Sequence, residues 1–455
     1  MVEKQGFEHR VLIEDDNPSI VVDDLKCKKC KLCQKTCSNE MAVFDHYDWE
    51  KTGHNAICIN CGQCVAACPF GAITVKRNID DVYEAINDPN KKVVFITAPA
   101  VRVGLGDAFG LPLGSFVEKN MVTAIRSLGA DYVLDVVAGA DLTIMEEANE
   151  LVERIKNKDG YKWPMFTSCC PAWVKYCETF FPELIPNLSS AKSPIAMQAS
   201  IIKTYFAKNV GIDKNELFVV AVAPCTAKKA ERLRDELNAS GAEHDCDCTI
   251  TTVELAQMIK EKGLDFSKDD NGEFDSIFGT GSSSGLIFGN TGGVMQAAIR
   301  TGFYMMTGRN MSEDELTQLE PIRAIDNLKV GEVNIDGVKL RVAAVSQMSE
   351  ARKLIESIKN GEIELDFVEV MACRGGCANG GGQPKILRKP MMEEARVNRN
   401  KNLYSTDTKE QKLRYCHDSP VIKKLYETYL EKPGSHLAHE LLHTTFVDRS
   451  KDLGE

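Results

Sequence analysis

The residues with the clearest chemical potential in this chain are its cysteines. There are 17 among 455 residues, and eight of them form two runs of identical spacing, over residues 27–37 and 58–68. In each run, C-x2-C-x2-C-x3-C, one loop can reach three corners of a four-iron, four-sulfur cubane while the fourth cysteine crosses to a second cluster. We therefore predict two 4Fe–4S clusters with these ligands: Cys27, Cys30, Cys33 and Cys68 for one, and Cys58, Cys61, Cys64 and Cys37 for the other.

Zinc is the alternative metal that these cysteine runs could bind. Zinc sites favour separated CxxC pairs rather than three cysteines at three-residue steps, so the spacing favours clusters. Residues 1–80 are therefore similar to a bacterial ferredoxin module, a small α+β unit that carries electrons. Ser38 stands where the first run would usually have proline, a change that removes no ligand.

Five further cysteines fall in three short segments: TSCCPAW (167–173), PCTAKKAE (224–231) and EVMACRGGCANGGGQP (369–384). Adjacent cysteines point in different directions on a regular backbone, so only one of Cys169 and Cys170 should ligate a shared group. Because Cys170 precedes Pro171 at a predicted helix start, we take Cys170 as the ligand and Cys169 as a free thiol. A third cubane then has four thiolates available: Cys170, Cys225, Cys373 and Cys377.

The alternative is that these are buried structural cysteines, which is common for free thiols. Two features favour ligands. Glycines follow both Cys373 and Cys377 and let the backbone approach a bulky inorganic group, and Lys228 offers a point charge for an anionic ligand. The remaining four cysteines have no evident partners and are predicted to be structural: Cys177, Cys246, Cys248 and Cys416.

The segments that must position these residues alternate between strand and helix. Apolar patterns predict strands at 93–98, 132–136, 218–222, 342–346 and 367–370, and helices at 79–87, 115–127 and 140–157. Residues 278–293 have the glycine and serine content of a loop. The alternation predicts an α/β catalytic domain over residues 81–390, followed by a C-terminal helical segment over 391–455 that packs on it and is helical from Pro420.

Composition excludes some classes of function. The formal net charge is −11, which argues against a general nucleic-acid binder, because such proteins present positive charge to phosphates. No apolar run approaches the ~18–20 residues of a membrane span. The first residues contain no apolar stretch of the signal-peptide type, so we expect a cytoplasmic protein.

The three cysteine segments resemble the signature motifs of the FeFe (iron-only) hydrogenases of the clostridial type. The resemblance extends through the N-terminal module, Ala98-Pro99, LTIMEE (142–147), NLSSAKSP (187–194) and TGGV (291–294). It implies two sheet-containing lobes around an H-cluster, where H2 is interconverted with protons and electrons. It also implies that the cubane of the H-cluster is bridged through Cys377 to a di-iron subsite with CO, cyanide and azadithiolate ligands, which maturation proteins insert.

The resemblance further implies roles for side chains around the di-iron subsite. Lys228 would hydrogen-bond one cyanide, and the remaining lining residues would be Ala98, Pro99, Ser193, Met371 and Ala223. Better-known members carry methionine where Ala223 stands and glycine where Ala172 stands, so the lining here differs from theirs.

A proton relay is implied in the same way. Cys169 would pass protons to Glu147, and a hydroxyl such as Ser189 would link Glu147 to Glu150, which lies three residues further along the same helix face. From periodicity alone, Glu146, Glu147 and Glu150 fit a solvated acidic helix edge equally well.

An electron carrier is the partner we expect. Five lysines surround the first cysteine run with no acidic residue between them: Lys26, Lys28, Lys29, Lys31 and Lys35. They are either ordinary solvated lysines or a patch that steers an acidic carrier such as ferredoxin towards the outer cluster.

Alternatives remain for the site and for the function. His439-Glu-Leu-Leu-His443 matches the HExxH zinc motif, although an amphipathic C-terminal helix explains it better because no third ligand follows. There are two alternatives to an enzyme: a hydrogen sensor with the same cofactor, and an iron–sulfur assembly protein of related fold. We predict the enzyme, because Cys169, Lys228 and Cys377 are all present.

Overall fold

The computed structural model describes residues 9–278, 280–320, 327–408, 411 and 413–454. Its strands are β1 (Ile20–Val22), β2 (Ile73–Val75), β3 (Lys92–Thr97), β4 (Tyr132–Asp135), β5 (Met165–Phe166), β6 (Leu217–Ala223), β7 (Cys248–Thr251), β8 (Leu328–Ile335), β9 (Val338–Ser346) and β10 (Phe367–Met371).

The α-helices lie between and after these strands. They are α1 (Leu32–Asn39), α2 (Gln63–Ala67), α3 (Ile79–Asn87), α4 (Glu118–Leu128), α5 (Val136–Lys156), α6 (Pro171–Phe180), α7 (Pro194–Ile201), α8 (Ala207–Val210), α9 (Ala227–Glu231), α10 (Thr252–Glu261), α11 (Ser283–Leu286), α12 (Gly293–Thr307), α13 (Glu313–Thr317), α14 (Met348–Lys359), α15 (Lys389–Tyr404), α16 (Pro420–Leu425) and α17 (His436–Leu442).

Two four-stranded sheets form the body of the protein, and the predicted α/β class is confirmed. The first sheet has the order β4-β3-β6-β7 and is parallel throughout. The second has the order β5-β10-β9-β8, in which β8 is antiparallel to β9. The inner strands β3 and β6 are almost continuously apolar because helices cover both faces of a parallel sheet.

The N-terminal unit is a small α+β structure. Strands β1 and β2 pair antiparallel, with Ile20 opposite Val75, while α1 and α2 carry cysteines of the two runs. A small apolar cluster that includes Val11, Ile20 and Ile73 packs around cysteines of this unit.

Helix α5 is the central helix of the body. The Asp135 side chain caps its first turn by accepting a hydrogen bond from the Val137 backbone N–H at 3.0 Å. Most of its 21 residues are buried, including Glu146, Glu147 and Arg154. The solvated acidic edge that periodicity allowed is therefore absent.

The C-terminal segment covers this side of α5. Tyr426 donates a hydrogen bond from its hydroxyl to Glu146 at 2.5 Å, and the Gly434 backbone N–H donates to the same carboxylate at 2.8 Å. A second buried pair joins this segment to α12, because Arg300 donates two hydrogen bonds to Asp407 at 3.0 and 2.8 Å. These buried contacts tie residues beyond 404 to the body.

Most predicted element bounds agree with the structure to within about one turn of a helix. The expectation that the C-terminal segment is helical only from Pro420 is wrong, because α15 already spans Lys389–Tyr404. The helix at 79–87 coincides with α3, whereas the helix predicted at 140–157 begins four residues earlier, at Val136. The loop predicted over 278–293 is wrong in part, because it contains α11 and a 3-10 turn over Ile287–Gly289. Gly279 of that segment lies outside the described residues.

Candidate metal centre

The site lies where the two sheets present the carboxyl ends of their parallel strands. Ala98 follows β3, Cys225 follows β6, Cys169 and Cys170 follow β5, and Cys373 follows β10. Ligands of parallel sheets bind beyond these ends, because the loops there come from several strands at once. This topology brings together cysteines that are up to 208 positions apart in the sequence (169 to 377).

One cavity lies between the two lobes at this position, with an empty volume of about 540 Å³. Of the predicted lining residues it is bordered by Ala98, Pro99, Cys169, Ala223, Cys225, Lys228, Met371 and Cys377. Sequence reasoning missed other lining residues, which are apolar or glycine: Ala100, Val136, Pro194, Ile195, Pro224, Phe288 and Gly289. Such residues carry no chemical signal of their own, and only the fold brings them to the cavity.

The four predicted ligand thiols are mutual neighbours. Burial raises the pKa of the Cys373 thiol, and the nearby Cys225, Cys170 and Cys377 raise it further. Burial and Cys170 together raise the pKa of Cys225 to about 12. The described cysteines are all free thiols, so no disulfide competes with a shared inorganic group.

Cys169 and Cys170 face different surroundings, as their adjacency predicts. Cys170 is the N-cap residue of α6, and its sulfur accepts a hydrogen bond from the Ala372 backbone N–H at 3.5 Å. Burial raises the pKa of the Cys169 thiol well above its usual value, and the Glu147 carboxylate is the largest charge adding to that rise. Cys169 therefore lies between the cavity and Glu147.

The cavity wall fits an anionic inorganic group. Lys228 donates hydrogen bonds to the Glu231 carboxylate at 2.9 and 2.7 Å and to the Cys169 carbonyl at 3.3 Å. Burial acts to lower the pKa of Lys228, but Glu231 outweighs it and the ammonium keeps its charge. A Cβ on Gly380 would lie 2.2 Å from the Pro224 carbonyl, so this close backbone approach requires glycine.

Ser193 is the predicted lining residue that the structure places elsewhere. Its hydroxyl donates to Glu231 at 3.1 Å and accepts from the Ala196 backbone N–H, which caps α7. Among the residues described, it borders a neighbouring cavity of about 310 Å³ rather than the central one. Ser193 contacts the cavity only indirectly: its hydroxyl bonds to Glu231, which accepts from Lys228 on the cavity wall.

The predicted relay residues are close together behind Cys169. Among the described residues no hydrogen bond of ordinary geometry reaches either carboxylate oxygen of Glu147, although the Ser189 hydroxyl lies near enough to interact with it. Burial, and then the Glu150 carboxylate, raises the pKa of Glu147 to about 8. Ser189 donates from its hydroxyl to Glu150 at 2.8 Å, and Arg154 donates to Glu150 at 2.6 Å.

His443 of the HExxH motif forms hydrogen bonds within this neighbourhood. His443 bonds to Glu146 through Nε2 at 3.0 Å and to Ser190 through Nδ1 at 2.8 Å, and the His439 ring lies 4.2 Å from the His443 ring. Within the described ranges, no three His, Cys, Asp or Glu side chains converge as ligands of a single ion. Helix α17 is amphipathic, as predicted, with Ala438 and Leu441 buried.

Two further cavities lie in the N-terminal unit, and each brings cysteines of both runs together. One, of about 300 Å³, is bordered by Cys27, Cys30, Cys33 and Cys68. The other, of about 420 Å³, is bordered by Cys37, Cys58, Cys61 and Cys64. These are the two sets of four that the crossing pattern predicts.

Known families match three consecutive parts of the chain. A 4Fe-4S dicluster domain matches residues 19–88, the C-terminal domain of the iron only hydrogenase large subunit matches 91–381, and the iron hydrogenase small subunit matches 393–449. The chain belongs to the iron-only (FeFe) hydrogenases. It is an oxidoreductase that interconverts H2 with protons and electrons at an H-cluster, and its N-terminal domain is of the 4Fe–4S dicluster type.

Individual relatives agree with this assignment. Iron hydrogenase 1 of Clostridium pasteurianum is 39% identical over 444 residues, covering 95% of this chain and 76% of that protein. A structure of a variant of FeFe-hydrogenase HydA1 from Chlamydomonas reinhardtii is 37% identical with a TM-score of 0.71, covering 82% of this chain and 99% of that one. A cytosolic iron-sulfur assembly component 3 of Bos taurus is more distant, at 29% identity over 405 residues, covering 86% of this chain and 82% of that protein.

No described helix combines the length and the apolar character needed to span a membrane.

Proposed function

We propose that Cys170, Cys225, Cys373 and Cys377 hold the cubane of the H-cluster, and that Cys377 also bridges to the di-iron subsite. The observation that carries this proposal is the convergence of four thiols from three sequence segments, two of which, Cys225 and Cys377, border the cavity of about 540 Å³. The ligands of the two other cubanes are the two sets of N-terminal cysteines that border the smaller cavities.

When bound, the di-iron subsite supplies a low-valent metal with an open position and an amine beside it. The chain's own residues bind and orient that subsite. Lys228 would donate a charge-assisted hydrogen bond to one cyanide, and Glu231 would hold the ammonium in place for it. Backbone at Ala98 and Pro99 borders the opposite side of the cavity.

Protons travel through Cys169 and Glu147. Because burial raises the pKa of Glu147 to about 8, this carboxyl carries a proton at neutral pH, and the Ser189 hydroxyl is its neighbour. The Ser189 hydroxyl donates to Glu150 and accepts from the Ala191 backbone N–H, which leaves one lone pair to accept from a protonated Glu147. Glu150, with its side chain 13% exposed, is the end of the relay that meets solvent.

Electrons enter through the N-terminal unit from an acidic carrier of the ferredoxin type. All five lysines around the first run are exposed, and Lys28 and Lys31 border the outer cavity beside the exposed Cys30. Two apolar side chains stand among them, Leu25 at 95% exposure and Leu32 at 42%. Exposed apolar side chains among positive charges suit brief docking of a negatively charged protein.

The docking surface is tested by changing all five of these lysines to glutamine. We expect turnover with reduced ferredoxin to fall at low salt and to lose its salt dependence, while turnover with a neutral dye stays the same. A matched control changes five exposed lysines outside the N-terminal unit: Lys208, Lys339, Lys353, Lys359 and Lys432. Equal salt dependence in the lysine variant and the unchanged protein contradicts the docking surface.

The remaining proposals concern organisation and location. We divide the chain into a two-cluster domain at 1–80, a catalytic domain at 81–390 and a C-terminal segment at 391–455. We place the protein in the cytoplasm, where maturation proteins deliver the di-iron subsite. Expression without those proteins should give three cubanes and no H2 turnover.

The ligand set is tested by Cys170→Ala, with Cys177→Ala as the matched control on the same helix. Cys177 is buried on α6 and borders none of the cavities described above. We expect Cys170→Ala to lose the catalytic cubane and all H2 turnover, and Cys177→Ala to keep both. Equal iron content in the two variants contradicts the ligand set.

A further inference from the structure

The two-cluster unit and the catalytic body meet through loops that carry cluster cysteines. Gly62, between Cys61 and Cys64, lies against Gly381, and a Cβ built on Gly381 would be 2.5 Å from the Gly62 carbonyl carbon. Thr226, beside Cys225, donates a hydrogen bond to the Asn60 carbonyl at 2.6 Å. The backbone therefore brings the inner cysteine run as close to the catalytic loops as glycine allows.

One side chain crosses this junction and reaches a cluster sulfur. Gln63 donates from Nε2 to the Cys373 sulfur at 3.0 Å and to the Asn379 carbonyl at 3.3 Å. Both partners are acceptors, so only the amide nitrogen, with its two N–H donors, can satisfy them; the amide oxygen cannot. Gln63 itself stands between two cysteines of the inner run, Cys61 and Cys64.

We propose that Gln63 is a positioning residue that sets the reduction potential of the catalytic cubane and links it to the inner cluster. The inference rests on the ligand role of Cys373 proposed above. In the transfer step the inner cubane loses one electron and the catalytic cubane gains it. The hydrogen bond to the Cys373 sulfur stabilises the more negative, reduced cubane, because hydrogen bonds to cluster sulfurs tune the potential.

A structural role alone makes a different prediction. If Gln63 only fastened the two loops together, its loss would resemble the loss of the other hydrogen bond at the junction. Thr226 supplies that comparison, because its hydroxyl bonds only to a backbone carbonyl. Thr226→Val keeps the shape of the side chain and removes one junction hydrogen bond without removing a donor to sulfur.

The test uses the full chain, produced without maturation proteins and reconstituted with iron and sulfide. A redox titration followed by electron paramagnetic resonance gives the midpoint potentials of the three cubanes, and Cys373→Ala identifies the catalytic one by its loss. We expect Gln63→Met to lower the reduction equilibrium constant of that cubane about tenfold, or ~59 mV for one electron. Gln63→Asn, whose amide is one methylene short, should do the same with the fold intact.

The outcomes separate this inference from the ligand assignment. A shift in both Gln63 variants, with no comparable shift in Thr226→Val, supports it. An unchanged catalytic potential, or an equal shift in Thr226→Val, overturns it while leaving the ligand role of Cys373 in place. If Cys373→Ala keeps all three cubanes, the ligand role is wrong and the inference falls with it.

Discussion

Replacing Glu147 with glutamine separates a proton relay from a structural carboxylate. Glutamine keeps the size and polarity of the side chain but cannot carry a proton. Glu147 is 1% exposed on α5, with the Ser189 hydroxyl as its polar neighbour. The substitution therefore removes titration, while the amide can still form a hydrogen bond with that hydroxyl.

The raised pKa of Glu147 gives the expected magnitudes. With a pKa of about 8, the carboxyl is protonated to roughly 90% at pH 7. Because positioned proton donors contribute about 10²–10⁴-fold to a rate, we expect H2 evolution by Glu147→Gln to fall within that range. In the unchanged protein, H2 evolution should also decline as the pH rises through about 8, where the donor loses its proton.

The same substitution, Glu147→Gln, should lower activity but raise the stability of the fold at high pH. The pKa of Glu147 is raised from 4.5 to about 8 in the folded protein, so folding favours the protonated form. The stabilisation is therefore full below pH 4.5 and is lost as the pH rises through 8, at ~1.4 kcal/mol for each tenfold change in proton affinity, or up to ~5 kcal/mol. Glu147→Gln should thus unfold at higher urea concentration than the unchanged protein at pH 8.5, and at nearly the same concentration at pH 5.

The assay combines dye-driven H2 evolution, iron content and urea unfolding under anaerobic conditions. Glu153→Gln is the matched control, because Glu153 lies on the same helix and is exposed. It should change neither activity nor the pH dependence of unfolding. Turnover of Glu147→Gln within threefold of the unchanged protein, with full iron content, refutes the relay.

Three further predictions concern buried residues of the cysteine-containing segments. Lys228→Met leaves the Glu231 carboxylate buried without its cation and should destabilise the fold by ~3–5 kcal/mol; adding Glu231→Gln should restore most of the unfolding midpoint but not the H2 turnover. Glu369→Ala removes the acceptor for the Gly292 and Met295 backbone N–H groups, which donate at 2.6 and 2.9 Å. The free energy of unfolding, measured with urea, should fall by about 1–3 kcal/mol. Glu369→Gln keeps an acceptor oxygen and should lower it less. Gly381→Ala forces a Cβ against the inner cysteine loop. The variant should weaken the magnetic interaction between the inner and catalytic cubanes. An unchanged interaction contradicts the close contact.

Short-range patterns in the sequence predict the two N-terminal cysteine sets and different roles for Cys169 and Cys170. Three-residue steps fix the geometry of one cubane loop, and the adjacency of Cys169 and Cys170 predicts that only one can face a shared group. The structure brings each predicted set of four together, and it separates Cys169 from Cys170 through the helix that begins at Pro171. These inferences depend only on local backbone geometry.

Burial of the acidic residues on α5 could not be predicted in this way. Periodicity shows which residues share a face, but not what covers that face. The cover comes from Tyr426, Gly434 and His443, about 280 to 300 positions away in sequence. Such long-range contacts leave no local signal.

Ser193 and the 278–293 segment show the same limit. The serine lies in a segment that the resemblance covers, yet its hydroxyl is used by Glu231 and by the cap of α7. Glycine and serine content suggested a loop at 278–293, but Ser282 caps α11 by accepting from the Gly285 backbone N–H at 3.1 Å. Caps and turns of this kind are decided by tertiary packing as much as by composition.

The central claim is that four thiols hold a cubane that carries a di-iron subsite in the cavity beside Lys228. Its most direct test is an infrared spectrum of the matured enzyme in the window between the amide and water bands. The account predicts CO and cyanide stretches there, together with methyl-viologen-driven H2 evolution, and the loss of both in Cys377→Ala. A matured preparation with three intact cubanes and no such bands contradicts it and favours an assembly protein, whereas the bands without H2 evolution favour a sensor.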